Sequence, residues 1–217
     1  MKIDTELNFP IDMNENIIHF NDIFILEDIQ RMQDLFSNAT GVASIITNPD
    51  GTPLTNPSNF CSLCNLIRKT ELGLSNCMKS DRLNCSGISS GMELQPCMSA
   101  GLWDTGAKLT VNGTHIANWL IGQVVNEETC IQNIIDYGQE IGADKDEFLE
   151  ALNQVPVMSM DKFRNIFEML FVIANDYCDK LYKNQQLKKQ ITEHKHFIDL
   201  LHKSEESLSI TLPSISI

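Results

Sequence analysis

The sequence predicts an α+β domain, with an antiparallel sheet of about five strands flanked by helices and a long helix at its C-terminal end. Three observations predict it. Asn112-Gly113 lies between two apolar, alternating runs, Ala107–Val111 and Thr114–Val125. That is the strongest short hairpin signal, because a type I′ turn needs positive φ at both central residues. Before this hairpin, helical and strand patterns follow one another as helix, strand, turn, strand, helices and strand; helices follow it. From Met160 onward the apolar residues recur in steps of three and four, the period of one helix stripe.

The elements follow in order. Residues 1–24 read as irregular, with a possible extended piece at Ile17–Phe20. Glu27–Phe36 reads as a helix with Ile29, Met32, Leu35 and Phe36 on one face, ended by Asn38 and Gly41. Val42–Thr47 is β-branched and apolar, hence a buried strand. Asn48-Pro49-Asp50-Gly51 is a turn, since Pro presets φ and Gly supplies φ > 0. A short strand follows at Pro53–Thr55. Asn59–Thr70 and Ser75–Cys85 read as two helices separated by Gly73, with Ser75 capping the second. Met92–Pro96 is ambiguous. After the hairpin, Glu127–Glu140 and Lys145–Gln154 read as helices, ended by Gly142 and Pro156. Helices that interrupt such a sheet leave a hollow against it, the default place for a small molecule.

The chain divides at residue 160. Residues 1–159 carry 8 Lys+Arg and 21 Asp+Glu, while 160–217 carry 8 of each, so the whole net charge of −13 sits in the first part. Such an acidic globule argues against nucleic acid, whose phosphates need a basic face. In the second part Leu170, Ala174, Tyr177, Leu181 and Asn184 form one heptad-like set. Leu187, Ile191, His194, Ile198, Leu201, Glu205 and Leu208 form another, offset by a stammer-like step. The polar seam residues Asn184, His194 and Glu205 make a weak coiled coil. One reading is a parallel homodimer helix that transmits a signal. The other is a helix folded back on its own domain.

The start, MKIDTELNFPIDMNEN, is polar and acidic, unlike a signal peptide. No apolar run approaches the ~20 residues of a membrane span. Phe163–Ala174, the richest run, contains Arg164 and Glu168. A cytoplasmic location is the expectation. In a reducing compartment the seven cysteines are thiols or metal ligands rather than disulfides.

Cys61, Cys64, Cys77 and Cys97 have a spacing that permits a four-thiolate site for zinc or an iron–sulfur cluster. The alternative is buried free thiols that pack as small apolar groups. Cys85, Cys130 and Cys178 read as packing residues. Trp103 and Asp104 follow the flexible Ser99–Gly101 run and are placed to stack on and hydrogen-bond a small polar ligand; a core Trp and a turn-capping Asp are the alternative. Trp119 and Gln123 are four apart on one strand, which puts them on the same side. A buried Gln123 needs a partner, which either a ligand or backbone can supply. His115, beside the turn, reads as solvent-facing. No nucleophile elbow, P-loop or dinucleotide fingerprint occurs, so no catalytic residue is assigned.

Residues from about 30 to 178 resemble the PocR sensory-domain family of bacterial signal-transduction proteins. The matching stretches run from Phe36-Ser37-x-Ala39-Thr40-Gly41 and the Asp50-Gly51 turn to Phe60-Cys61-x-x-Cys64-Asn65-x-Ile67-Arg68. They continue through Gly73-Leu74-x-Asn76-Cys77-x-x-Ser80-Asp81 and Pro96-Cys97-x-Ser99-x-Gly101-Leu102-Trp103-Asp104. The last is Gly113-x-His115-Ile116-Ala117-Asn118-Trp119-Leu120-Ile121-Gly122-Gln123-Val124. Where many members carry Cys-His-Ala-Gly, this chain has Cys97-Met98-Ser99-Ala100-Gly101. The resemblance implies a PAS-like fold and a small hydrocarbon derivative, such as a short diol, as ligand. It also strengthens the metal reading of the four matched cysteines. Lys203–Leu212 followed by Ser214-Ile215 resembles the lead-in helix and first strand of a further PAS domain in a sensor histidine kinase. The expectation is therefore a sensory module, with PAS and kinase domains downstream. A redox or metal sensor built on the cysteines is the second reading.

Overall fold

The computed structural model describes residues 18–86 and 94–211. A short helix α1 (Phe20–Ile23) leads into α2 (Leu26–Thr40) and strand β1 (Ala43–Thr47). Helices α3 (Ser62–Arg68) and α4 (Glu71–Ser86) precede strand β2 (Gln95–Pro96) and the hairpin of β3 (Trp103–Val111) and β4 (Thr114–Val124). Helices α5 (Ile131–Glu140), α6 (Lys145–Asn153) and α7 (Met160–Thr211) complete the described elements. The fold is α+β.

The described sheet has four strands in the order β1-β4-β3-β2, every pair antiparallel. The strand expected at Pro53–Thr55 does not form. Only single bridges, Thr47 to Pro53 and Ser44 to Ser58, reach β1 from that segment. Pro53 has no N–H to donate, and the Thr55 hydroxyl instead accepts the Ile46 N–H at 2.8 Å, replacing a ladder bond. The expected hairpin is present, with Asn112 at φ 49° and Gly113 at φ 78°. Of the ambiguous Met92–Pro96 segment, Gln95 and Pro96 form β2; Met92 and Glu93 lie outside the described residues, as do Ile17 and the tail strand at Ser214-Ile215.

Two expectations about the middle helices change. Gly73 lies inside α4 rather than before it, and Ser75 is not its cap. Thr70 Oγ1 accepts the Gly73 N–H at 3.1 Å, the work of an N-cap. A Cβ on Gly73 would lie 2.2 Å from the Ile67 carbonyl oxygen, so only glycine lets α4 turn this tightly off α3.

The sheet separates two cores. On one face Trp103, Leu109 and Trp119 pack with Phe36 of α2 and with Phe163, Phe167, Leu170, Ala174 and Cys178 of α7. On the other, Cys61, Leu63, Cys64, Ile67, Cys77 and Cys97 pack with Ile134 and Phe148 of α5 and α6. At 1.5 Å per residue α7 is about 78 Å long. Its first five turns lie on the domain's own sheet, so Leu170 and Ala174 belong to the intramolecular core rather than to a dimer seam. Gln185 Nε2 donates to the Asp22 carbonyl at 2.9 Å. Beyond it Leu187, Ile191, Ile198 and Leu201 are about half exposed.

Candidate ligand-binding site

A small cavity, about 30 Å³, lies between the sheet face that carries the cysteines and the helices α3 and α4. Its floor is Ala43 and Ile45 of β1 with Leu120, Gly122 and Gln123 of β4; Asp104 of β3 rises beside them. Its roof is Cys64 and Arg68 of α3, then Cys77, Ser80 and Asp81 of α4. Residues four apart on a helix share a face. Cys64 with Arg68, and Cys77 with Asp81, therefore turn toward the same space. Cys97 and Ser99 close one side and Phe60 another.

The polar lining is organised in pairs. Arg68 Nη2 donates to Asp81 Oδ2 at 2.8 Å, and the guanidinium lies 5.3 Å from the centre of the Phe60 ring. Among the described residues Arg68 Nε is buried without a hydrogen-bond partner. Burial holds the Asp81 carboxyl above its ordinary value despite the neighbouring Arg68 charge. Asp104 Oδ1 accepts the Gln123 N–H at 2.8 Å, yet burial pushes the Asp104 pKa up to about 7. Opposite Asp104 stands Gly122, where a Cβ would fall 1.9 Å from Asp104 Oδ1. Glycine here leaves the room that the carboxylate occupies.

Gln123 reaches this face because of a β-bulge. The register shifts between Trp103, which pairs with Val124, and Asp104, which pairs with Gly122. Gln123 is the extra residue, at φ 61°, and the bulge re-aims its side chain. Its Oε1 accepts the Cys61 N–H at 2.8 Å, so backbone is the partner. Trp119 and Gln123 therefore do not share a side, contrary to the alternation argument. Trp119 Nε1 donates to Ser44 Oγ at 2.9 Å and its ring meets Phe36 edge-on at 5.9 Å. Trp103 lies in the same far core. Of the four residues expected to meet a ligand, Asp104 and Gln123 line the cavity and the two indoles do not.

The four motif cysteines do come together in one cluster. They do not form a four-thiolate site. Among the described residues no group of three or more His, Cys, Asp or Glu side chains is arranged to hold a metal ion. Ser99 Oγ is within hydrogen-bond reach of both Cys77 Sγ, at 3.4 Å, and Cys97 Sγ, at 3.5 Å. Burial raises the Cys77 thiol and pushes Cys97 up to about 12, with the Asp104 charge adding to it. With no such metal-holding group among the described residues, the arrangement does not match the four-donor set that zinc or an iron–sulfur cluster takes. Cys178 is buried as expected, Cys130 is exposed, and the Cys85 side chain is outside the described residues. His115 is partly buried, with Nε2 2.6 Å from Asn118 Oδ1.

The cavity is tied to α7 through the end of β4. Two residues after Gln123, the Val125 N–H donates to the Pro156 carbonyl at 3.0 Å, and the Val125 carbonyl accepts the Met158 N–H at 2.9 Å. Helix α7 begins two residues later.

A model of the family described as "Sensory domain found in PocR" matches residues 22–182. The chain is 32% identical over 171 residues to the Regulatory protein PocR of Salmonella typhimurium, an alignment that covers 76% of this chain and 52% of that protein. The chain thus spans about half the length of the curated relative it matches. No solved structure matches it. Among the described residues no helix is long and apolar enough to cross a membrane.

Proposed function

The chain belongs to the family of sensory domains found in PocR, and from that premise we propose that the cavity under α3 and α4 binds a small hydrocarbon derivative and that α7 relays its occupancy. Arg68 carries this reading. It lines the cavity, and its buried Nε–H has no partner among the described residues. An unmet buried donor costs on the order of 1–3 kcal/mol, which a ligand oxygen would recover. Asp104 and Asp81 supply acceptors, Ser80 and Ser99 supply hydroxyls, and Ile45, Leu120 and Phe60 supply an apolar floor. A short diol matches that set: its hydroxyls donate to the carboxylates and accept from Arg68, and its carbons rest on the floor.

The cavity is small, so a ligand of several heavy atoms requires α3 or α4 to move outward. Cys61 leads into α3 and is bonded to Gln123. Displacement of α3 therefore pulls on the bulge whose strand end is bonded to the segment that starts α7. The ligand stabilises whichever packing it fits, and α7 reports the shift in population. A tenfold difference in affinity between two states supplies about 1.4 kcal/mol of coupling.

In the intact protein we assign the output to a histidine kinase in the cytoplasm, reached through further PAS-like structure. The distal half of α7 pairs with a second copy as a parallel coiled coil. The exposed Leu187, Ile191, Ile198 and Leu201 stripe supports that pairing.

A thermal-shift screen with short diols, aldehydes and carboxylates tests the ligand class. At ten times the Kd a ligand adds about 1.4 kcal/mol of stability, about 3–6 °C in Tm for a chain of this size. A diol hit that disappears in Arg68→Ala supports the reading. No hit from any class at millimolar concentration contradicts it.

A further inference from the structure

The thiols of Cys61 and Cys64 are set apart from the other two. Cys61 immediately precedes α3 and Cys64 lies in its first turn. Cys61 Sγ accepts the Cys64 N–H at 3.5 Å, so the first thiol caps the turn that carries the second. Cys77 and Cys97 have no such contact, because each faces the Ser99 hydroxyl. From this geometry we propose that Cys61 and Cys64 form a reversible dithiol–disulfide site, which makes the roof helix responsive to oxidants as well as to ligand.

The ionisation of the pair agrees with its geometry. The hydrogen bond from Cys64 lowers the Cys61 thiol to about 7 against the opposing effect of burial. The neighbouring Cys61 side chain, together with burial, raises Cys64. Cys61 is thus the attacking thiolate at neutral pH and Cys64 the resolving thiol. With a small dialkyl disulfide as oxidant, Cys61 Sγ attacks one sulfur, its S–S bond breaks, and one alkyl thiolate leaves. Cys64 Sγ then attacks Cys61 Sγ in the mixed disulfide. Its proton goes to the departing second alkyl thiolate. The protein loses two electrons and two hydrogens, and the oxidant becomes two thiols.

The consequence is local and specific. Cys64 lines the cavity, and the Cys61 N–H is the group that holds Gln123. Oxidation therefore acts at the junction of the cavity roof and the bulge. This inference does not rest on the identity of the ligand, because its readout is the sulfur chemistry itself.

The test uses the whole chain in its native state. The protein is equilibrated in hydroxyethyl disulfide and mercaptoethanol mixtures of graded ratio, quenched in acid, alkylated, digested with trypsin and weighed. Cleavage after Arg31 and Arg68 places Cys61 and Cys64, and no other cysteine, on one peptide. The expected result is a single two-electron transition in which that peptide loses both alkylation sites and two mass units. Cys77 and Cys97 stay alkylated, and the transition persists in Cys77→Ser and Cys97→Ser. The inference is overturned if the peptide stays fully alkylated under the most oxidising mixture. It is equally overturned if Cys61 or Cys64 crosslinks to a different peptide in preference to its neighbour.

Discussion

The side-chain carbonyl of Gln123 accepts the backbone N–H of Cys61 at 2.8 Å, which ties the bulge in β4 to the chain entering α3. The strand face and its roof are thus joined by one buried bond across the edge of the cavity. Gln123→Ala leaves the Cys61 N–H without a partner, a loss of about 1–3 kcal/mol. Gln123→Gly loses the same bond but relieves the left-handed backbone, worth about 1 kcal/mol. Urea unfolding should therefore rank wild type above Gln123→Gly and that above Gln123→Ala. An alanine variant as stable as wild type would show that the tie contributes nothing.

Asp104 makes stability depend on pH. Its folded pKa is raised to about 7 by burial, above the ordinary 3.8. Between those values the native state holds a proton that the unfolded state releases, so stability falls as pH rises through 7. The size is a few kcal/mol at most. Asp104→Asn keeps an oxygen for the Gln123 N–H and removes the titration. The expected outcome is a variant more stable than wild type at pH 8, with the gap closing toward pH 5. Parallel pH profiles for the two proteins would refute the assignment.

Arg68 and Asp81 form a largely buried pair. Removal of one partner strands the other charge, at a cost of about 3–5 kcal/mol, whereas removal of both need not. Arg68→Met should cost most of that amount, and Arg68→Met with Asp81→Leu should recover a large part. A double-mutant cycle in denaturant measures this. Additive losses would mean that the two groups do not act as a pair.

The distal half of α7 carries the proposed dimer seam. Ile191→Asp with Ile198→Asp should convert a dimer to a monomer in sedimentation equilibrium while leaving the near-ultraviolet signal of Trp103 and Trp119 in place, since both indoles lie in the globular core. A wild-type chain that sediments as a monomer at high micromolar concentration contradicts the seam.

Much of the fold could be read from residue pattern because local chemistry decides it. Asn112-Gly113 specified its turn, Gly41 ended α2 at φ 80°, and the step pattern from Met160 onward marked one long helix. The described sheet has four strands because a side chain replaces a ladder bond at the fifth, as Thr55 does for Ile46. The site was half legible. Asp104 and Gln123 do line the cavity, although the alternation argument for Gln123 fails. Period-2 alternation cannot register a bulge, and one extra residue carries Gln123 to the face opposite Trp119. Arg68 and Asp81 also line the cavity and were not anticipated there, because an ion pair formed between two helices has no fixed spacing. Their signal was the pairing of Cys64 with Arg68 and Cys77 with Asp81 at four-residue intervals. Spacing pointed to one cysteine cluster but not to the Ser99 hydroxyl that both Cys77 and Cys97 meet.

The central claim is that the cavity under α3 and α4 is occupied and that α7 senses the occupancy. Hydrogen–deuterium exchange on the chain, with and without a diol selected by thermal shift, tests it most directly. The account predicts slower exchange in residues 60–68 and 122–125, together with an altered rate in the first five turns of α7, residues 160–178. Protection confined to the groove between α1 and the distal part of α7, with no change at 122–125, would contradict it.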